Sequence, residues 1–288
     1  MAKIQQLSEH LANLIAAGEV IERVGSVVKE LVENSIDANA TAIEVHLTNA
    51  GLSEIIVNDN GEGMDPMDAK RSILPHATSK VSKEDDLYHI GTLGFRGEAL
   101  ASIVAVSQFQ CRTSTDGQKG YMFSARAGVI TSEATVAFRK GTQIIVRNLF
   151  FNTPARLQNL QAEYVELSHI VEYVNKMALG NPHIRFKVTN NDKVLLQTNG
   201  NNNILEVIHE IYGLDVAKNM LEFTAGDAYF QLHGYIAKPS TTRSTRNHIS
   251  IIVNNRVIRN SGITNSILAA YKNLLPISRF PIAVIAIT

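Results

Sequence analysis

Three glycines at intervals of three residues give this chain its strongest chemical signal. They lie in the run GTLGFRG at residues 91–97, directly before a helix predicted over residues 98–106. Glycine has no Cβ, so its backbone can approach an anion closely, and the first turn of a helix offers unpaired N–H groups. Arg96 adds a fixed positive charge. The run therefore favours a phosphate-binding loop, although it has neither the P-loop nor the dinucleotide-loop order of residues. Taken alone, the run is better explained as a glycine-rich surface turn before a helix.

A second group of polar side chains shares one face of a predicted helix. Glu30, Asn34 and Asp37 are spaced at i, i+4 and i+7, on a stripe distinct from the apolar residues of the same helix. A carboxylate beside an amide oxygen suits Mg²⁺, which prefers oxygen ligands and usually comes with substrate phosphates. A second carboxylate nearby can deprotonate an attacking water. The alternative is a polar helix face in water, which these three residues alone do not exclude.

The remaining candidates lie in loops. The segment DNGEGM at 59–64 follows a predicted strand, where Asp59 can accept a hydrogen bond from an exocyclic amine and the glycines let a flat base approach. The segment HATSK at 76–80 offers a hydroxyl and an ammonium to phosphates. Gly141 and Thr142 open another strand. Each segment also occurs as an ordinary loop or bulge, so none identifies a site by itself.

The elements that position these residues indicate two α+β domains. Apolar residues at helical spacing predict a helix from Val24 to near Asp37, and residues 71–97 contain no good strand and little clear helix, which is typical of a functional lid. The asparagine tract at 198–203 is the best linker candidate, so we predict domains over 1–200 and 201–288. Further strands are predicted over 43–47, 54–58, 106–113, 121–126, 142–149, 184–189, 194–198, 229–237, 249–253 and 282–287, and further helices over 167–178, 204–212 and 263–274.

Composition narrows the class of protein. The chain has 288 residues, of which 45% are hydrophobic, enough for two folded domains with cores. It contains no apolar run of about 18 residues and no signal-peptide pattern, so we expect no membrane span and a cytoplasmic location. Cys111 is its single cysteine, which excludes an internal disulfide and a cysteine-rich metal site.

A net charge of zero hides an uneven distribution. Residues 238–288 contain no acidic side chain and seven basic ones: Lys238, Arg243, Arg246, Arg256, Arg259, Lys272 and Arg279. A basic segment favours a polyanion such as nucleic acid. An ordinary solvated surface is the alternative.

The motifs stand together in one order that resembles the GHKL ATPases, the superfamily of gyrase B, Hsp90, histidine kinases and MutL. Within it the chain is most similar to the bacterial MutL mismatch-repair family, in its N-terminal ATPase region. The resemblance spans residues 15–256, essentially the whole chain. It rests on IAAGEV at 15–20, VKELVENS at 28–35, DNGEG at 59–63, HATSK at 76–80, LGFRGEAL at 93–100, FNTPAR at 151–156 and VNNR at 253–256.

The resemblance implies a fold and a set of roles. The fold would be α+β, a two-layer α/β sandwich of GHKL type with a lid at about 71–97, followed by a smaller α+β domain like ribosomal protein S5. Glu30 would be the general base, Asn34 would hold Mg²⁺, and Asp59 would bind the adenine amino group with support from Thr142. The other ATP-binding residues would be Gly61, Gly63, Met64, Thr78, Ser79, Lys80, Leu93, Gly94, Phe95, Arg96 and Gly97.

The resemblance also implies partners. ATP would order the lid and pair two copies as a homodimer, and slow hydrolysis would reset this switch. Arg256 matches a position that the family uses for DNA, which would be bound through its backbone without sequence specificity. Further partners would be MutS bound at a mismatch, a downstream nicking endonuclease and a helicase. The location would be cytoplasmic and nucleoid-associated.

Two departures from the family pattern carry expectations. The chain ends at Thr288, before a lysine with which the second domain of family members reaches the γ-phosphate, so we expect a second domain truncated at its C-terminal end and weakened ATPase activity. Asn255 stands where glycine is common in the family, and because asparagine tolerates positive φ we expect this turn to survive.

Two other functions stay open at this point. Another GHKL ATPase, a chaperone or topoisomerase subunit, is disfavoured by the segments at 95–100 and 151–156. A non-enzymatic DNA-binding scaffold would bind DNA without any effect of ATP analogues.

Overall fold

The computed structural model describes residues 9–81, 83, 91–94 and 97–288. The chain divides into two compact units. One comprises the chain up to Tyr173 together with Phe186–Leu195, and the other comprises Val174–Arg185 and Leu196–Thr288. The domain boundary that we placed at residue 200 from the sequence stays a prediction.

The first unit is built on an eight-stranded sheet. Its strands run in the order β5-β4-β3-β6-β2-β1-β7-β8. The pairs from β5 to β1 in this order are antiparallel. The strands are β1 (Ala42–Thr48), β2 (Glu54–Asp59), β3 (Gln108–Ser114), β4 (Gly120–Arg126), β5 (Val129–Val136), β6 (Gly141–Arg147), β7 (Arg185–Asn190) and β8 (Lys193–Gln197).

Helix α2 packs against this sheet and carries the candidate site. Val27, Val28 and Leu31 form its apolar stripe and are at most 2% exposed, while β1 and β2 bury every second side chain beneath it. Burial of each such side chain stabilises the fold by about 1.5–3 kcal/mol. The helices of this part of the chain are α1 (Glu9–Val20), α2 (Val24–Asp37), α3 (Pro66–Arg71), α4 (Ala99–Ala105), α5 (Pro154–Gln158) and α6 (Glu163–Gly180).

The second unit contains a five-stranded sheet in the order β13-β12-β15-β10-β9. Strands β12 and β15 are parallel, and the other pairs are antiparallel. A separate short pair joins β11 to β14. The helices and strands of the second unit are α7 (Ile204–Tyr212), α8 (Leu214–Ala217), β9 (Met220–Gly226), β10 (Gln231–Ala237), β11 (Thr242–Arg243), β12 (Ile249–Val253), β13 (Arg256–Ile258), α9 (Ser261–Ala270), β14 (Phe280–Pro281) and β15 (Ala283–Ile287).

Each predicted helix and strand is present, most with small shifts at their ends. Helix α7 and strand β12 have the predicted bounds, and the described residues of 72–97 form neither helix nor strand. Asn254 and Asn255 form the β12–β13 turn with φ of 48° and 64°, which confirms the expectation for Asn255. No helix in the described ranges is long and apolar enough to cross a membrane.

Candidate functional site

Glu30 lies in a network of charges on helix α2. Its Oε1 accepts a hydrogen bond from Lys29 Nζ at 2.9 Å, and Lys29 Nζ is 3.5 Å from Glu33 Oε2. The Tyr173 hydroxyl donates to Glu33 Oε1 at 2.9 Å. Burial raises the pKa of Glu33 and of Tyr173. The Glu30 carboxylate is thus held by one cation while 19% of its side chain remains exposed, which leaves it accessible to a water molecule.

Further along α2, Asn34 and Asp37 both contact Lys80, and Asp37 also contacts the glycine-rich loop. Lys80 Nζ donates to Asn34 Oδ1 at 2.9 Å and to Asp37 Oδ2 at 2.6 Å. The backbone N–H groups of Leu93 and Gly94 donate to Asp37 Oδ1 and Oδ2, at 2.8 and 3.1 Å. Five residues that are distant in sequence therefore converge on one cluster of amide, ammonium and carboxylate groups.

Asp59, at the end of β2, forms a second centre beside α2. Its Oδ1 accepts the N–H groups of Gly61 at 2.9 Å and Thr142 at 3.1 Å, and its Oδ2 accepts the Ser35 hydroxyl at 3.0 Å. Arg139 Nη1 donates to the Asp59 carbonyl at 2.5 Å. Burial raises the pKa of the Asp59 carboxyl, and these donors and the Arg139 charge oppose that effect. Because Ser35 follows Asn34 on α2, the Asp59 centre is tied directly to the helix that carries the other cluster.

Two glycines let the backbone close around Asp59. Gly63 has φ of 73°, and a Cβ there would lie 2.1 Å from the Ser114 carbonyl oxygen. Gly141 has φ of 112°, and its Cβ would lie 2.2 Å from the Asp59 carbonyl oxygen. Left-handed φ and contact with backbone both require glycine at these positions.

Hydroxyl groups complete the Asp59 region. Thr113 Oγ1 accepts the N–H of Met64 at 2.8 Å and lies 3.1 Å from Thr142 Oγ1. Cys111 is buried in the same strand, and burial together with the Asp59 charge raises the pKa of its thiol to about 12. The thiol is therefore neutral and unreactive at pH 7.

The predicted site residues fall into three groups. The Asp59 centre includes the predicted residues Asp59, Gly61, Gly63, Met64 and Thr142. The cluster around Asp37 includes the predicted residues Asn34, Lys80, Leu93 and Gly94. The third group lies near Ala77: Gly97 has φ of 64° and packs on Ala77. The next two residues, Thr78 and Ser79, are exposed, and Thr78 Oγ1 accepts a hydrogen bond from the Lys80 N–H. Phe95 and Arg96 lie outside the described residues.

The structure adds contacts that the sequence analysis did not assign. Asp37 accepts three hydrogen bonds, more than any other member of its cluster. The sequence spacing had placed it only on the same helix stripe as Glu30 and Asn34. Ser35 and Arg139 hold Asp59, and Tyr173 holds Glu33. Ser35 lies within the VKELVENS motif, which could have indicated it. Arg139 is 80 residues from Asp59 in the sequence, so no local pattern indicates their contact.

The donor set fits a Mg²⁺ ion held together with phosphates. Within the described ranges, no group of three His, Cys, Asp or Glu side chains could hold a metal. Asn34 Oδ1 is a neutral oxygen, and it accepts a hydrogen bond from Lys80 Nζ at 2.9 Å, so a metal ion bound there would take the place of the ammonium. Mg²⁺ commonly binds through one or two protein oxygens plus substrate phosphates and waters.

The second unit carries an arginine corner, which we define as Arg243, Arg246 and Arg279. Arg279 donates from Nε to Thr242 Oγ1 at 2.9 Å, Arg243 is paired opposite Phe280 in the β11–β14 register, and the Arg246 guanidinium lies 5.2 Å from the Phe280 ring centroid. Arg256 opens β13 in the same unit. The corner concentrates positive charge that phosphates can contact.

Two family models match the chain. Residues 22–148 match the model described as Histidine kinase-, DNA gyrase B-, and HSP90-like ATPase, and residues 208–288 match DNA mismatch repair protein, C-terminal domain. The chain is 48% identical over 287 residues to the DNA mismatch repair protein MutL of Staphylococcus carnosus, covering 100% of this chain and 44% of that protein. It is 49% identical to MutL of Anoxybacillus flavithermus, covering 98% of this chain and 46% of that protein. The chain thus spans less than half the length of these relatives.

Solved structures share the fold. The N-terminal domain of a DNA repair protein superposes with a TM-score of 0.84 at 29% identity, over 98% of this chain and 88% of that one. The Aquifex aeolicus MutL ATPase domain complexed with ADP gives a TM-score of 0.72 at 27% identity, over 93% of this chain and 92% of that one. These matches confirm the predicted α+β fold of GHKL type.

Proposed function

This chain belongs to the MutL family of DNA mismatch repair proteins, and from that premise we propose that it binds ATP at the α2 site and hydrolyses it slowly as a conformational switch. The switch would link mismatch recognition by MutS to downstream nicking and unwinding. The observation that carries the proposal is the convergence of two centres on one helix: a buried carboxylate suited to a purine, and a cluster of donors suited to phosphates.

Asp59 would bind the adenine. A buried carboxylate fixed by three donors keeps acceptor capacity for an exocyclic amine, and it discriminates against a base that presents an acceptor at that position. Gly61 and Gly63 would let the base lie against the backbone, and Thr142 would support the carboxylate. The complex of the related Aquifex aeolicus ATPase domain with ADP supports nucleotide binding in this fold.

The second cluster would bind the triphosphate. The N–H groups of Leu93 and Gly94 and the Lys80 ammonium are charge-complementary donors for phosphate oxygens, and Asn34 would hold Mg²⁺. When bound, Mg²⁺ neutralises developing charge on the phosphate oxygens. Thr78, Ser79 and Gly97 would adjoin these donors, and we extend the proposal to Phe95 and Arg96 on the sequence motif.

Glu30 would act as the general base. Its part-exposed carboxylate is oriented by Lys29, so it can accept a proton from a water that attacks the γ-phosphate. Lys29 also neutralises Glu33, which prevents two adjacent carboxylates from repelling each other. This arrangement holds Glu30 without burying it.

The second unit would bind DNA through its backbone. We propose Arg256 and the arginine corner as phosphate contacts, with affinity that depends strongly on salt. ATP would pair two copies as a homodimer, and MutS, a nicking endonuclease and a helicase would be partners in a cytoplasmic, nucleoid-associated repair process. The domain boundary is proposed near residue 200.

Substitution Glu30→Ala tests the hydrolytic proposal. Nucleotide binding should persist, because the side chain contacts Lys29 rather than the adenine or phosphate centres. Hydrolysis should fall by about 10²–10⁴-fold, the usual contribution of a general base. Glu163→Ala is the matched control, since it removes an exposed carboxylate from the first turn of helix α6, outside both centres, and should leave turnover unchanged. Unchanged turnover in Glu30→Ala would remove Glu30 from this role.

A non-enzymatic DNA scaffold makes the opposite prediction for nucleotide. Hydrogen exchange across residues 71–97, with and without a non-hydrolysable ATP analogue, separates the two functions. The ATPase proposal expects protection on nucleotide addition, whereas a scaffold expects the same exchange in both samples and DNA binding that ignores the analogue.

A further inference from the structure

Asp37 occupies the centre of the cluster proposed to bind phosphate. Its Oδ1 accepts the Leu93 N–H at 2.8 Å, and its Oδ2 accepts the Gly94 N–H at 3.1 Å and the Lys80 ammonium at 2.6 Å. The side chain is only 5% exposed. The donors that the site would offer to a phosphate are therefore already used by a carboxylate of the chain itself.

Carboxylate and phosphate oxygens are chemically alike in this setting. Both are anionic acceptors that take short, charge-assisted hydrogen bonds from ammonium groups and backbone amides. Lys80 Nζ also donates to Asn34 Oδ1 at 2.9 Å, so a cation stands beside the proposed Mg²⁺ ligand. The Lys80–Asp37 ion pair thus supplies one positive and one negative charge where a metal ion and a phosphate group would bind.

We propose that Asp37 is an internal anion that fills the phosphate position and competes with the phosphates of an incoming nucleotide. The inference rests on the proposed ATP site and goes further by naming a residue that sets its affinity. When nucleotide binds, its phosphates take over the N–H groups of Leu93 and Gly94 and the Lys80 ammonium, and Asp37 gives up these contacts. The competition weakens binding of phosphate-bearing ligands and does not act on the base.

Substitution Asp37→Asn removes the charge and nearly preserves the shape of the side chain. A neutral amide competes less well for Lys80 and the two N–H groups and does not repel phosphates. We expect ADP to bind at least about tenfold more tightly than to the wild-type chain, a difference of about 1.4 kcal/mol. Adenosine, which lacks phosphates, should bind the two proteins equally.

A competition titration with ADP and adenosine measures both affinities. Asp192→Asn is the matched control, since it removes the same charge at an exposed position in the β7–β8 turn, where φ is 63° and asparagine is tolerated. Tighter ADP binding confined to Asp37→Asn supports the proposal. ADP affinity that is unchanged or reduced in Asp37→Asn overturns it, because Asp37 would then be indifferent to bound phosphate or would assist it.

The wild-type chain offers a second measurement that needs no substitution. ADP should shift the carboxyl ¹³C resonance of Asp37 as its donors leave, and adenosine should not. An Asp37 resonance that stays constant while ADP binds overturns the inference and leaves the ATP site intact. Failure of the wild-type chain to bind ADP at all would instead overturn the proposed function together with the inference.

Discussion

The substitution Asp59→Asn should change which base the site prefers. Both N–H groups from Gly61 and Thr142 point at Oδ1, so the new amide must place its oxygen there and its NH₂ at the position of Oδ2. That NH₂ faces Ser35 Oγ, which can still donate to the Leu31 carbonyl at 3.1 Å and accept from the amide. The local fold should therefore survive, with a change of about 1 kcal/mol or less in the free energy of unfolding.

The cost to adenine binding follows from the same geometry. In the wild-type chain the adenine amino group would donate to a charged acceptor, a contact worth about 1.5–3 kcal/mol. In the variant two NH₂ donors meet, so ADP affinity should fall by about 30- to 150-fold, equivalent to about 2–3 kcal/mol. Inosine diphosphate carries an acceptor oxygen at this position, and the new NH₂ should donate to it.

Titration of ADP and inosine diphosphate into both proteins measures the switch. We expect the ADP-over-inosine-diphosphate preference to fall at least about tenfold in Asp59→Asn, with urea unfolding confirming a folded protein. A preference that is the same in both proteins would refute the assignment of Asp59 to the adenine, because the carboxylate would then not contact the base.

Burial raises the folded-state pKa of Asp59 above its usual 3.8, so the ionised carboxylate destabilises the fold. The unfolding free energy of the wild-type chain, relative to that of Asp59→Asn, should therefore fall as the pH rises from 3.8 through that pKa. A difference between the two proteins that does not change with pH would contradict this. Gly63→Ala should cost more than about 3 kcal/mol in urea unfolding, whereas Gly128→Ala, also at positive φ but in open space, should cost about 1–2 kcal/mol. Arg256→Met should weaken DNA binding for all sequences and reduce the salt slope by about 1, and an unchanged slope would exclude a phosphate contact.

Periodicity predicted the elements that bury one face. Helix α2 and strand β1 were predictable because Val27, Val28 and Leu31, and every second residue of β1, face the core. Strands β5 and β9 were not predicted. Both lie at sheet edges, and six of the eight residues of β5 are exposed, so no apolar alternation marks them. Edge strands are specified by pairing with a neighbour, which a local pattern does not contain.

The candidate site was predictable as a set of motifs but not as a set of contacts. The types and spacing of Glu30, Asn34 and Asp37 placed them on one helix face, and the turn at 59–63 was evident. No local sequence pattern indicated that Asp37 accepts hydrogen bonds from the amides of Leu93 and Gly94, because these residues are 56 and 57 positions away from Asp37 in the sequence. Such contacts depend on the tertiary fold, which brings the glycine-rich loop onto α2.

A crystal structure of this chain with Mg²⁺ and a non-hydrolysable ATP analogue tests the central claim most directly. We predict the adenine amino group within hydrogen-bonding distance of the Asp59 carboxylate, phosphate oxygens on the N–H groups of Leu93 and Gly94, and the metal ion on Asn34 Oδ1. A nucleotide bound elsewhere, or an adenine that makes no contact with Asp59, would contradict the account.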